Sequence, residues 1–296
     1  MAIGQGLVFL AVALQSSGKV LYGTFLAGLS TPLFILLSIC LTATVCLAVA
    51  RFRLPREGRL QLVLVNLWTA ISVVAFFFAL DHLAPAMVAS IEIGMSLLVA
   101  MALVSLQGRA WPKWIHLLAC LGIVAGCALL GWAEIAASLS HPDPALVWAA
   151  VAASTATGIA SALSATASRK LAAAGWRPAS VLAHRFHLTI AVAILWLSVE
   201  APAVALPDAY SLLLMAVIGM VGVLAPLLLF QIALRRINEL TLMVCLAGQP
   251  ILSFLISLAS PAYGWNTVTL LGVLIITLFV ALDILAKRRR AEASRA

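Results

Sequence analysis

Apolar runs of about 20 residues recur along the chain, and short connectors between them carry nearly all of its charge. An α-helix needs about that length to cross ~30 Å of hydrocarbon. Backbone amides in lipid must find partners within their own segment, so runs of this kind predict helices. A membrane barrel would show short alternating segments instead, and none occur in the sequence. Composition agrees: 64% of the 296 residues are hydrophobic and 9% are charged, too few charges to cover a water-soluble domain. The expected fold is an all-α integral membrane protein.

The runs predict ten transmembrane helices at roughly 5–26, 32–50, 60–80, 84–106, 114–133, 145–168, 179–199, 209–234, 239–260 and 266–286. The positions of basic residues give an orientation. With the N-terminus inside, Arg51, Arg53, Arg56, Arg59, Arg109, Lys113, Arg169, Lys170, Arg177, Arg235, Arg236 and Lys287 to Arg290 all fall on the cytoplasmic side. The opposite connectors carry Asp81, Glu134, Asp143, Glu200 and Asp208. Only Lys19 and Arg185, of 18 Lys and Arg residues, lie within spans. Both termini are thus expected to be cytoplasmic, and the first span, which lacks a basic leader and a cleavage site, to be retained. The formal net charge of +8 sits in short clusters that orient spans, so it does not imply a nucleic-acid partner. Seven tryptophans (Trp111, Trp114, Trp132, Trp148, Trp176, Trp196 and Trp265) lie near span ends, the headgroup level. The basic tail suits an anchor on anionic lipid. Arg-, Ala- and Leu-rich usage points to a GC-rich bacterial genome, hence to a bacterial inner membrane.

The chain also repeats itself. Phe76, Ala79, Leu80 and Gly94 match Phe230, Ala233, Leu234 and Gly248 at a constant offset, and Gly18 and Pro32 match Gly158 and Pro178 at equivalent places. The repeats cover 1–133 and 143–290, five helices each. An odd number of helices turns the second copy upside down, the inverted architecture of secondary transporters, which bind substrate near mid-membrane between the repeats.

The Phe-x-x-Ala-Leu ends of spans three and eight, Pro250 in span nine, Pro178 followed by Arg185, and the small polar run Gln15-Ser16-Ser17-Gly18-Lys19 together resemble the EamA-type branch of the drug/metabolite transporter superfamily. That resemblance covers about 5–286. It implies a five-plus-five inverted bundle around a central cavity, commonly for export of amino acids or related metabolites. The chain departs from the family pattern at Ile39, at Gly94-Met95-Ser96 and at Gln107-Gly108-Arg109.

Ionisable groups inside spans are the informative ones, because a charge at a helix centre costs roughly 2.5–3.5 kcal/mol to insert and normally faces the bundle interior or water. Lys19 and Glu92 lie about 6 Å and about 5 Å outward of their span centres, a shared depth that suits either a structural pair or a substrate or proton-coupling pair. Arg185 lies about 9 Å inside span seven, read as one continuous helix. It can either snorkel to the cytoplasmic surface or offer a bidentate fork to a substrate carboxylate. His184 and His187 flank it; His187 is a candidate for proton coupling, and two histidines without a third ligand make a poor metal site. Gln249 beside Pro250, where a proline frees mid-helix carbonyls, is a further candidate, with Gln15, Tyr22 and Trp68 as possible cavity walls. Ser154, Thr157, Ser161, Ser164 and Ser168 form a stripe on span six that suits close packing or a polar wall. Gly122-x-x-x-Gly126 suits packing or dimerisation, and Asp283 is spaced to pair with Lys287.

These residues point to an exporter of a small polar metabolite bearing carboxylate and amine groups, an amino acid or an amino-acid-derived compound such as an opine-type metallophore. A monomer or homodimer in membrane lipid is expected, with no cofactor and no metal. None of the five cysteines has metal-ligand spacing to another, and no phosphate-binding Gly-x-x-x-x-Gly-Lys loop is present. The alternatives are a flippase for a lipid-linked polar head group and an intramembrane enzyme. Neither His-Glu-x-x-His nor Gly-x-Ser-x-Gly occurs, which speaks against the enzyme.

Overall fold

The fold was read from a computed structural model, which describes residues 2–26, 29–50, 57–108, 114–137, 144–200, 207–233, 236, 245–246 and 248–293. Arg51, Arg53, Arg56, Arg109, Trp111, Lys113, Asp143 and Arg235 lie outside the described residues, as do the side chains of Glu134, Asp283 and Lys287. The described residues are helical and contain no strand. The elements are α1 (Ala2–Phe25), α2 (Thr31–Val49), α3 (Arg59–Leu80), α4 (Pro85–Gly108), α5 (Trp114–Ala137), α6 (Pro144–Ala173), α7 (Pro178–His184) and α8 (His187–Glu200). They continue with α9 (Ala209–Gly219), a π-helical turn (Met220–Leu224), α10 (Ala225–Ala233), α11 (Gln249–Ser257) and α12 (Thr267–Ala293). Among the described residues six segments are long and apolar enough to cross a membrane: Ile3–Phe25, Thr31–Val49, Arg59–Leu80, Ala145–Ala173, Pro178–Glu200 and Ala209–Ala233. Pro85–Ala100, Leu117–Leu130 and Thr267–Leu282 are shorter apolar helices.

Local chemistry sets the helix starts. Proline occupies the first turn of α2, α4, α6, α7 and α11, where its missing N–H costs nothing. Ser30 accepts a hydrogen bond from Leu33 N at the head of α2, and Asp208 accepts one from Ser211 N at the head of α9. Gly58, which adopts φ +83°, introduces α3.

Three predicted spans differ from what the structure shows. The segment 179–199 is not one helix but breaks at Arg185–Phe186. The segment 209–234 is interrupted by the π turn, in which one extra residue is wound into the helix. In the segment 239–260 the described residues are helical at 245–246 and again over Gln249–Ser257, with Pro250 in the first turn of the second stretch.

Packing is extensive and reciprocal. α3 lies along α6, while α1 lies along the π turn and α10; α4 packs on α6 and α11, and α2 on α7, α8 and α9. Gly18 and Gly222 meet backbone to backbone, so that a Cβ on either would collide with the other's Cα. Gly158, matched to Gly18 in the sequence, instead lies against Glu92, Met95 and Ser96 of α4. α5 packs along α12, and Gly122 and Gly126 sit beneath Phe279 and Ile276 of that helix. The Gly-x-x-x-Gly motif is therefore used within the chain. The outer faces of these two helices expose Leu121, Val124, Leu271 and Leu278, an apolar surface suited to hydrocarbon. Trp114, Trp132, Trp148 and Trp265 are exposed as expected near helix ends. Trp176 is not; it is buried and donates Nε1–H to Glu57 O at 2.9 Å.

Candidate functional site

A cavity of about 160 Å³ lies between the packed helices. α1 supplies Gln15, Gly18, Lys19 and Tyr22; α2 supplies Phe34 and Ile39; α3 supplies Thr69, Ser72, Val73, Phe76, Phe77 and Leu80. Glu92, Ser161, Arg185 and Phe186 add to the wall, which Ile218, Gly222, Val223, Pro226 and Leu227 complete. The lining is mostly apolar, with a few polar groups at defined points, the usual make-up of a small-molecule pocket.

Lys19 and Glu92, at similar depth in the sequence reading, form an ion pair across α1 and α4, with Nζ 2.9 Å from Oε2. The Lys19 side chain is 2% exposed and that of Glu92 12%. The ammonium also stands 4.8 Å from the centroid of the Phe76 ring, so its charge is answered by a carboxylate and an aromatic face.

Arg185 is held differently. It does not snorkel; its side chain turns inward to two hydroxyls. Nε donates to Thr69 Oγ1 at 3.2 Å, Nη2 donates to the same oxygen at 2.9 Å, and Nη2 also donates to Ser164 Oγ at 2.9 Å. The two hydroxyls are 3.1 Å apart, and the guanidinium carbon lies 5.4 Å from the centroid of Phe186. Among the described residues no carboxylate pairs with it. Its bidentate edge, Nε with Nη2, is already taken by Thr69. Among the described residues, the two N–H donors left without a partner both belong to Nη1.

The helix break that carries Arg185 is spanned by a side chain of α3. In an unbroken helix Leu188 N would donate to His184 O. Instead the Asn66 side chain of α3 stands in that rung: its Nδ2 donates to His184 O at 2.8 Å, and its Oδ1 accepts from Leu188 N at 3.4 Å. A side chain inserted into the ladder is an established cause of a break. Nearby, Ile190 N still donates to Phe186 O at 2.9 Å. The remaining Nδ2 hydrogen goes to Leu62 O at 3.0 Å, so every donor of the amide is used.

At another part of the cavity, Tyr22 donates its hydroxyl to Asp81 Oδ1 at 2.8 Å, and Thr31 donates to Asp81 Oδ2 at 2.6 Å. Tyr22 stacks with Phe34 and Phe77 at centroid distances of 4.9 and 5.1 Å. Asp81 lies just beyond α3, and burial raises its carboxyl above the ordinary range although these hydroxyls oppose the shift.

Of the residues singled out from the sequence, Lys19, Glu92, Arg185, Gln15 and Tyr22 line the cavity. Gln249 is buried behind the wall and donates Nε2–H to Gln15 Oε1 at 3.3 Å. Two other residues lie away from the cavity wall. Trp68 is only half-buried and is not among the lining residues. His187 is exposed, begins α8 and stacks 5.7 Å from the His184 ring rather than facing the cavity. The α6 stripe divides: Ser161 meets Ser72 at 2.8 Å and Ser164 meets Arg185, whereas the buried hydroxyls of Ser154 and Ser168 have no hydrogen-bond partner among the described residues. Its counterpart on α3, Asn66-x-x-Thr69-x-x-Ser72, was missed. Spacing of three in an otherwise apolar helix is the signal that could have found it.

No family model and no curated protein matches this chain. It is similar to a solved structure described only as "Crystal structure of protein", with a TM-score of 0.68 and 18% identity over 98% of this chain and 99% of that one. At that identity the likeness concerns the fold alone.

Proposed function

We propose that this chain is a secondary transporter that exports a small polar metabolite with carboxylate and amine groups across a bacterial inner membrane. The observation that carries the reading is the central cavity, in which Arg185 keeps a guanidinium without a carboxylate partner beside the closed Lys19–Glu92 pair. The formal charge of these three groups is +1, which suits an anionic or zwitterionic ligand. An α-carboxylate would meet the Nη1 hydrogens of Arg185, and an amine would compete for Glu92.

The architecture we propose has ten spans in two inverted repeats, with both termini cytoplasmic, as in the EamA-type drug/metabolite transporters that the sequence resembles. Reciprocal packing supports it. α1 against the π turn and α10 mirrors α6 against α3, and α4 and α11 meet each other. A reporter fused after Asp143 that is active only in the cytoplasm would overturn this topology.

The test of function is metabolite profiling of medium and cytosol in cells lacking the chain, and in the same cells given back the wild type or Arg185→Ala. An amine-bearing carboxylate should accumulate in the cytosol on deletion and return to the medium with the wild type alone. If no such metabolite shifts, the transport reading fails.

A further inference from the structure

We infer that Asn66 is a positioning residue: by occupying the 188-to-184 rung it holds the segment 178–200 broken, and the break aims Arg185 at the cavity. The inference rests on the transport reading of the cavity only for its functional meaning.

Arg185 and Phe186, the two residues at the break, both line the cavity. The break separates the half-buried His184 carbonyl from the more exposed Leu188 amide, the two groups that an unbroken helix would join. Asn66 meets both with one side chain. An apolar residue could meet neither, and the two groups would then bond to each other and straighten the segment.

Position on α3 strengthens the assignment. Asn66 and Thr69 stand one turn apart on one face, the first holding the backbone of the break and the second holding the guanidinium that the break presents. α3 thereby fixes Arg185 at two points, main chain and side chain.

The decisive experiment is a structure of full-length Asn66→Leu in lipid nanodiscs, without added ligand. The expected result is a Leu188 N to His184 O hydrogen bond and an Arg185 guanidinium withdrawn from Thr69 and Ser164. A break that persists with leucine at 66 overturns the proposal. Should that variant not fold, Asn66→Ala and Asn66→Gln are compared by phenylglyoxal labelling of Arg185, read by mass spectrometry on the intact protein. Release from its hydroxyl partners should speed labelling about tenfold in Asn66→Ala, with Asn66→Gln, which keeps the amide, closer to the wild type. Thr24→Val, which breaks the contact with Ser260 elsewhere in the bundle, is the control for general loosening. A rate in Asn66→Ala within about twofold of the wild type, or an equal rise in Thr24→Val, overturns it. Neither readout needs a substrate, so both can stand or fall apart from the transport reading.

Discussion

Lys19 and Arg185 are both cations held inside the bundle, but their surroundings differ in kind. Lys19 meets a carboxylate at 2.9 Å, so the pair carries no net charge. Among the described residues Arg185 meets two hydroxyls and the Phe186 ring but no carboxylate; the hydroxyls satisfy N–H groups without cancelling charge. The first arrangement is closed to a ligand until one member changes partner. The second retains a positive charge that an anion can reach. A protein that needed only to tolerate two interior cations would gain by pairing both, and this asymmetry is why we propose Arg185 as the ligand contact.

The largest effect should come from splitting the closed pair. Lys19→Met or Glu92→Gln alone leaves one interior charge uncompensated, and losing one member of a buried pair costs about 3–5 kcal/mol. The double variant removes that penalty and should accumulate better than either single one. Measured amounts of folded protein that fall additively would break the comparison at its first half.

A smaller effect, read on efflux rather than folding, is expected at Arg185. A hydrogen bond to a charged partner contributes about 1.5–3 kcal/mol, so Arg185→Ala should lose about tenfold or more in efflux per folded molecule. Arg185→Lys keeps the charge but cannot span Thr69, Ser164 and a ligand at once, and should do little better. Near wild-type efflux by the lysine variant would show that charge alone suffices.

Next come the hydroxyls. Thr69→Val removes the acceptor for Nε and Nη2 and should lower stability by about 1–2 kcal/mol, whereas Thr69→Ser, which keeps the oxygen, should change little. Thermal unfolding in detergent separates the two. A loss in Thr69→Ser with Thr69→Val near the wild type would mean that Thr69 acts by packing its methyl group.

The smallest effect lies away from both cations. Ser211 holds the exposed Asp208 carboxyl below the usual carboxylate range. Its stabilising effect is therefore complete at neutral pH and fades only as pH falls through that lowered value. Asp208→Ala should lower the melting temperature slightly at neutral pH, and Asp208→Asn, another good cap, should not. A loss as large as at Thr69 would show that the site is no more sensitive than the rim.

The long apolar helices were legible because length and apolarity are written in consecutive residues. Lys19 and Glu92 were legible as partners because depth follows from helical rise. The break at Arg185–Phe186 was not, since neither residue is Gly or Pro and its cause, Asn66, lies more than a hundred positions away. The role of Gly122 and Gly126 was equally hidden: the spacing marks a close helix contact but cannot say whether the partner is α12 or another copy. The place of His187 was hidden for the same reason: the helix restarts there and its side chain is exposed.

The rung occupied by Asn66 also bears on the order of assembly. α7 has seven residues, too short to enter hydrocarbon alone, while the whole of Pro178–Glu200 is long and apolar enough to do so. α3 precedes it in the chain, so the Asn66 amide is already made when the segment 178–200 is synthesised. A bundle assembled without α3 would lack the side chain that bonds to both sides of the break.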